Sequence, residues 1–495
     1  MNEIKKRITG LLCATLMAVG ALGLGSCSNA VTAYEIAVEN GFQGTVVEWL
    51  WSLHGDDGKD GKDFDLEALF ALAKENGYEG SWNEFLKEYL SVSISEDNDT
   101  TALTNATASV VSICAGFTTT KVEKNGLYGT TKSLVPSASA GSGVIYKINE
   151  NAKTAYIITN YHVLYSKDTD TDNDISQCVY VYPYGALNGF TTEYRQDNKT
   201  DGVGNGVLDS GEKMGDMYAD NDKVQGFKGI KARFIGGAME YDIAILETVP
   251  NDYFAKNTIA KEAETFDSDL LTVGEKTFAI GNANGEGISV TSGVLSVESE
   301  YITMTSPDTT RAIRYRVMRT DAAINHGNSG GGLFNANGKL VGITNAKNVE
   351  NETDNMGYAL PITQVKYVVE NILDNLGQTG VMRATLGIQT QVISSIAKIE
   401  KGKYVVEEVF SVTDYPIPQT ASAYNKLSSG DVIQTIKILD KDGNVKTDTK
   451  TLTRSYQLVD LCLTVRKGDK VILGVKDKGN VEIVFDKDEY FVKYA

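Results

Sequence analysis

Gly327-Asn328-Ser329-Gly330-Gly331 decides the reading of this chain; it follows Thr320-Asp321-Ala322-Ala323-Ile324-Asn325 and runs into Gly332-Leu333-Phe334. A serine held between glycines on a tight loop presents its hydroxyl, and the flanking backbone N–H groups can converge on one point to stabilise an oxyanion. The hydroxyl alone is a poor nucleophile. It needs a base, and the base needs an acid to orient it. Both stand upstream: Thr159-Asn160-Tyr161-His162-Val163 after an apolar run, then Tyr241-Asp242-Ile243-Ala244-Ile245-Leu246. One GNSGG is a weak signal, because glycine-rich turns are common. Three matched segments in the order His, Asp, Ser are a strong one. The reading makes Ser329 the nucleophile, His162 the proton carrier and Asp242 the group that holds the imidazole tautomer. Gly327 and Ser329 supply oxyanion-binding N–H groups, with Asn328 shaping the loop. The chain has three histidines. His54 lies in a linker-like stretch, and His326 is too close to Ser329 along the loop to serve easily as its base.

At 495 residues the chain is too long for one compact domain. Its net charge of −18 argues against a nucleic-acid partner, since binding phosphates needs a basic face. Lys5, Lys6 and Arg7 followed by an apolar run over 11–25 read as an export signal. Leu24-Gly25-Ser26-Cys27 resembles a bacterial lipobox, which makes 1–26 a lipoprotein signal peptide and Cys27 an acylated first residue anchored to a membrane. The alternative is an uncleaved membrane anchor, with the bulk of the chain outside the cytoplasm on either reading. Of five cysteines, Cys114, Cys178 and Cys462 remain beyond this segment. They are odd in number and far apart, so no disulfide framework is expected, and each reads as a small buried hydrophobe.

Residues 27–95 contain a repeat. Ala37-Val38-Glu39-Asn40-Gly41-Phe42-Gln43-Gly44-Thr45 recurs 36 residues on as Ala73-Lys74-Glu75-Asn76-Gly77-Tyr78-Glu79-Gly80-Ser81. Each unit reads as helix, Asn-Gly cap, short loop, Thr or Ser N-cap and second helix. The region is either a spacer or a wall-, lipid- or partner-binding module. The polar stretch 91–104 marks a boundary. From 105 the texture turns to short β-branched runs, among them Ser109–Ile113, Gly143–Tyr146, Ala155–Ile158, Asp242–Leu246 and Val341–Ile343. After Pro361, apolar residues at Val365, Val368, Val369, Ile372, Leu373 and Leu376 predict a helix over 363–376. A further β unit with one or two helices runs from 384 to 495. The expected class is mainly β.

Residues 105–380 resemble the HtrA/DegP family of trypsin-like serine proteases. The segments carrying the resemblance are Ala140–Ile145, Ile158–Val163, Asp242–Leu246, Ala279–Asn282, Thr291–Ser296, Thr320–Gly332 and Gly357–Ile362. The resemblance implies two six-stranded barrels with the triad at their junction. It also implies ATP-independent cleavage of unfolded or damaged exported polypeptides, with no cofactor for catalysis. Many members are trimers or larger. In such folds the primary pocket's base lies six residues before the nucleophile, which is Ala323 here, with Ile324 next. Neither is charged, so a small aliphatic P1 residue is expected rather than Lys or Arg. Residues 384–495 resemble the PDZ domain that follows such proteases. Thr385-Leu386-Gly387-Ile388 matches its carboxylate-binding loop and Lys426–Ile433 its hairpin, so the unit would hold peptide C-termini. The alternative is a degenerate β module that only packs on the protease, and the irregular stretch 391–420 departs from the family pattern. For the whole chain, a scaffold that holds unfolded proteins with little proteolysis and a dedicated processing or signalling protease stand as the other two readings.

His162 and Asp242 lie 80 residues apart, longer than the family's usual spacing, with an acidic insertion over about 166–230. Within it, Asp201–Glu212 fits a calcium loop with ligands at Asp201, Asn205, Val207 (backbone), Asp209 and Glu212. Val203 stands where a carboxylate or amide is expected. A structural Ca²⁺ and a solvated loop are both compatible with this pattern, as they are for Asp168–Asp174.

Overall fold

Short β-branched runs bounded by Gly and Asn, too many for one sheet, close on themselves. The computed structural model describes residues 95–124, 130–167, 169, 174–176, 178–185, 229–345, 356–376, 380–400 and 403–494. The signal segment with Cys27, the helical repeat, the Asp201–Glu212 loop and most of 168–174 lie outside the described residues. The fold is that of the unit Asp99–Ala495.

Helix α1 spans Ser95–Ala108. The sequence reads its first ten residues as a boundary, and their propensity is poor. Tertiary contact overrides this: Ala106 is buried and Leu103 packs on the core. The first barrel is built from β1 (Val110–Lys124), β2 (Thr130–Asn149), β3 (Thr154–Thr159), β4 (Cys178–Pro183), β5 (Ile230–Ala238) and β6 (Ile243–Thr248). The one-turn helix α2 (Tyr161–Leu164) comes directly after β3. The strands close antiparallel in the order β1-β2-β3-β6-β5-β4. The second barrel uses β7 (Lys276–Gly281), β8 (Ser289–Thr305), β9 (Ala312–Thr320), β10 (Gly332–Asn335), β11 (Leu340–Asn345) and β12 (Gly357–Pro361), closed as β10-β11-β12-β9-β8-β7. The double six-stranded barrel expected from the resemblance is the fold observed. Closure removes the sheet edges that would otherwise pair with other chains.

Helix α3 (Ile362–Asp374) connects the second barrel to the C-terminal strands. It is rich in β-branched residues, each costing up to about 0.7 kcal/mol in a helix. Ile362, Val365, Val368, Val369 and Ile372 are buried, and burying such a side chain contributes about 1.5–3 kcal/mol. Burial therefore decides. The helix ends before Leu376, which is exposed rather than part of the buried stripe.

The C-terminal unit comprises β13 (Val381–Ala384), β14 (Thr390–Glu400), β15 (Lys403–Val412), β16 (Ile433–Leu439), β17 (Val445–Thr451), helix α4 (Tyr456–Leu461), β18 (Lys470–Val475), β19 (Gly479–Val484) and β20 (Phe491–Tyr494). A four-stranded sheet, β17-β16-β18-β19, surrounds a core of Phe410, Ile436, Ile438, Leu473, Ile483 and Phe485. The stretch that sequence reads as irregular is mostly a long hairpin, β14–β15. Its apolar residues Ile393, Ile396, Ile399 and Tyr404 face outward, which is why no buried period marks it.

Cys114, Cys178 and Cys462 are buried and not joined in disulfides. Burial pushes the Cys114 and Cys462 thiols up, the latter to about 12. Because the thiolate is the reactive form, Ellman's reagent at pH 8 should label none of the three in the native chain carrying Ser at positions 13 and 27, and all three after denaturation. Rapid native labelling of any of them would contradict this packing.

Candidate active site

His162 sits on α2, immediately after β3. Asp242 ends the 3₁₀ turn Met239–Tyr241 and leads into β6. Asp242 adopts the left-handed conformation, φ 49° and ψ 41°, with its N–H bonded to the Met239 carbonyl at 3.1 Å. Asp tolerates that region better than most residues, and the turn aims its carboxylate inward. Asp242 is fully buried. Three donors satisfy its side chain: His162 Nδ1 at 2.7 Å, the His162 backbone N–H at 3.0 Å and Asn345 Nδ2 at 2.9 Å. A buried carboxylate only accepts, so the contact selects the Nδ1–H tautomer and leaves the Nε2 lone pair facing away from Asp242. Asn160 Nδ2 and the Tyr161 N–H both bond the Asp242 carbonyl, at 2.9 and 3.1 Å, locking the two segments together.

Ser329 lies on the loop between β9 and β10. Two glycines there need their missing side chains. Gly327 has φ +89°, and a Cβ would stand 2.1 Å from the Asn282 carbonyl oxygen. Gly330 has φ +83°, and a Cβ would stand 2.2 Å from the Ser142 carbonyl oxygen. Asn328 gives its N–H to the Asn325 carbonyl at 3.0 Å, so its backbone shapes the turn. The loop is clamped to the first barrel through Ser142 on β2. The Ser142 N–H bonds the Ser329 carbonyl at 2.8 Å; its hydroxyl donates to the Gly327 carbonyl at 2.7 Å and accepts from the Asn282 N–H at 2.8 Å. The Ser142 carbonyl accepts from Thr159 Oγ1 at 2.7 Å, three residues before His162. A Cβ on Gly141 would meet both the Val163 side chain and the Ser329 carbonyl oxygen, so the serine loop and the histidine helix share one wall.

Of the two other histidines, His326 is exposed, and His54 lies outside the described residues. Ala323 is exposed, with its carbonyl accepting from Thr291 Oγ1 at 2.8 Å. Ile324 is half-buried and packs against Gly357 at the start of β12, where a Cβ would stand 2.8 Å from its Cδ1. Sequence reading missed Ser142 and Asn345. Ser142 stands inside the quoted Ala140–Ile145 segment, but its role depends on contacts 185 residues away. Asn345 ends β11, 103 residues from its carboxylate partner.

In the C-terminal unit, Thr385–Ile388 forms the turn after β13. The Thr385 N–H bonds the Tyr490 carbonyl at 2.7 Å, and Gly387 has φ +71°. Leu386 is buried. Among the described residues, the N–H groups of Leu386, Gly387 and Ile388 bond no other backbone carbonyl outside the strand ladders.

Residues 141–343 match the model of the trypsin-like peptidase domain. The serine protease Do-like HtrB of Bacillus subtilis (strain 168) is 32% identical over 269 residues, covering 51% of this chain and 52% of the relative. The periplasmic serine endoprotease DegP of Escherichia coli (strain K12) is 34% identical over 253 residues, 49% of each. The double-barrel region matches a trypsin-like peptidase domain and is similar to the HtrA and DegP serine proteases. The serine protease Do-like HtrA of Lactococcus lactis subsp. cremoris (strain MG1363) is 28% identical over 335 residues, covering 65% of this chain and 66% of the relative. The chain thus spans about half to two thirds of the length of these curated relatives. A solved structure of the HtrA-type protease AlgW with a decapeptide covers 78% of this chain and 97% of that one, at 20% identity and a TM-score of 0.43. All three residues of the sequence-read triad, His162, Asp242 and Ser329, fall inside 141–343.

Proposed function

We propose that the chain is an extracytoplasmic HtrA-like serine endopeptidase that cleaves unfolded or damaged exported polypeptides without ATP. The observation that carries the reading is the buried Asp242 carboxylate bonded to His162 Nδ1 at 2.7 Å, on a wall shared with the Ser329 loop. Ser329 Oγ attacks the scissile carbonyl, and His162 Nε2 takes its proton and delivers it to the leaving amine. Asp242 holds the tautomer and stabilises the imidazolium. The N–H groups of Gly327 and Ser329 take the oxyanion. The Ala323–Ile324 wall carries no charge and accepts a small aliphatic P1 residue. Thr385–Ile388 and β14 act as the PDZ-type groove for a peptide C-terminus, through backbone N–H groups and strand addition. Acylation of Cys27 anchors the chain to the envelope membrane, Ca²⁺ occupies the Asp201–Glu212 loop, and a trimer or larger assembly belongs to the same reading.

The test uses the full chain, unfolded casein and a serine-directed phosphonofluoridate. Casein is expected to be cleaved mainly after Val, Ala and Ile, by about tenfold or more over Lys and Arg sites. The phosphonate is expected to abolish cleavage, with mass spectrometry placing the adduct on Ser329. Neither cleavage nor labelling, with C-terminal peptides added, would turn the assignment towards a holding scaffold.

A further inference from the structure

The turn that presents Asp242 is strained, and something must hold it. A non-glycine residue in the left-handed region costs of order 1 kcal/mol and persists only where its surroundings over-determine it. The turn Met239–Tyr241 is gripped at each residue. The Met239 carbonyl accepts from the Tyr315 hydroxyl at 3.0 Å, and Glu240 pairs with Arg311. Both grips come from the second barrel, Tyr315 on β9 and Arg311 in the turn that joins β8 to β9. Tyr241 is held differently. Its hydroxyl accepts from Arg383 Nη1 at 3.2 Å, and its ring meets the Tyr494 ring edge to face at 5.9 Å. Arg383 also donates to the Tyr494 hydroxyl and lies over its ring, 4.8 Å from the centroid.

Arg383 is on β13 and Tyr494 on β20, the strands that tie the two ends of the C-terminal unit together. Their register pairs Arg383 with Val492 and Val381 with Tyr494. The side chains that clamp Tyr241 are therefore fixed by a two-stranded ladder outside the barrel that carries Asp242. Tyr241 is the residue immediately before the carboxylate.

We propose that Arg383 and Tyr494 are positioning residues of the catalytic centre: by clamping Tyr241 they hold the left-handed turn that sets Asp242 against His162. This rests on the serine-protease reading above. Loss of the clamp lets the turn relax and lengthens the Asp242–His162 contact. The damage falls on the transition state, where the imidazolium forms, and leaves substrate binding alone.

The test compares Arg383→Ala, Tyr241→Phe and Arg383→Lys with Arg466→Ala in the full chain. Tyr241→Phe keeps the ring and removes only the hydroxyl, so it folds even if Arg383→Ala does not. Arg466→Ala breaks another contact between the C-terminal unit and the protease side, the ion pair to Asp374 at 2.8 Å, without touching the turn. Arg383→Ala and Tyr241→Phe are expected to lose about tenfold to a hundredfold in kcat with KM unchanged. Arg383→Lys is expected to recover part of the loss, because an ammonium reaches one hydroxyl but not both. Arg466→Ala is expected to match the wild type. The far-downfield proton resonance of the His162–Asp242 hydrogen bond is read on the same samples and should weaken or vanish only in the clamp variants. Unchanged kcat with that resonance intact in Tyr241→Phe and Arg383→Ala overturns the proposal, as does an equal loss in Arg466→Ala. If the wild type cleaves nothing, the protease reading fails on its own, and the resonance still decides whether the clamp sets the pair.

Discussion

Ser329→Ala is expected to lower kcat for unfolded casein by about 10⁶-fold with little change in KM, and His162→Ala by a similar factor. Asp242→Asn is expected to cost about 10⁴-fold. The graded sizes follow from the geometry. On the proposed mechanism Ser329 and His162 form one proton-transfer unit, so losing either loses the covalent route. Asp242 is fully buried, and three donors point at its side chain. An amide nitrogen in place of Oδ2 presents its own N–H to His162 Nδ1, which favours the wrong imidazole tautomer while leaving the fold in place. The Ser329→Ala/His162→Ala double variant is expected to be no slower than either single, since a unit cannot be removed twice. What remains without Ser329 or His162 is the contribution of the proposed oxyanion-binding loop and of substrate binding, about 10³–10⁴-fold over the uncatalysed reaction. Initial rates with matched preparations, each checked by far-UV circular dichroism, measure all four. Retention of more than a tenth of the wild-type rate by Ser329→Ala would mean another group performs the attack. Losses that multiply in the double variant would mean that the two residues work independently.

The parts of this site legible in the sequence are those fixed by local sterics. Gly327 and Gly330 are glycines because a Cβ at either would fall within 2.3 Å of a neighbouring oxygen, and this crowding leaves a compact motif. The β-branched runs of the barrels and the apolar stripe of α3 are local patterns too, and the observed strands and helix match them closely. What escaped reading depends on register between distant segments. Asn345 meets Asp242, and Ser142 meets Gly327, only once each barrel has closed. The failures at α1 and at the β14–β15 hairpin have the opposite cause. Their local composition is polar or mixed, and structure there is imposed by long-range contact: Ala106 in the core for one, Lys403 Nζ to Glu275 at 2.8 Å and the Glu408 carboxylate on Ser455 for the other.

Arg316→Met is expected to destabilise the unit Asp99–Ala495 by about 3–5 kcal/mol, the cost of stranding a buried charge. Arg316 leaves β9 of the second barrel and meets Asp460 of α4, Nη2 to Oδ2 at 2.6 Å, with side-chain exposures of 2% and 6%. Its guanidinium also stacks over the Tyr456 ring at 4.0 Å and stands 3.8 Å from Asp269. Gln364 Nε2 completes the shell on Asp460 at 2.8 Å. Methionine keeps most of the volume and removes the charge, so the loss reports the ion pair and not a cavity. The pH dependence comes from the sign of the shift. Burial raises the Asp460 carboxyl above the usual carboxylate range, and Arg316 is the main group pulling it back down. Without Arg316 the folded-state value rises further, so between the ordinary carboxylate range and that raised value the folded protein holds a proton that the unfolded chain has lost. The defect is therefore full above the raised folded value and shrinks as pH falls from there towards the ordinary carboxylate range, below which both states are protonated. Adding Asp460→Leu removes the stranded charge and should restore most of the stability, since replacing both members of a buried pair by apolar groups is often neutral. Urea unfolding followed by far-UV circular dichroism at pH 7 and pH 4.5 measures this. A single-variant loss that is the same at both pH values, or a double variant no more stable than Arg316→Met, would show that the barrel and α4 are held by packing and not by this pair.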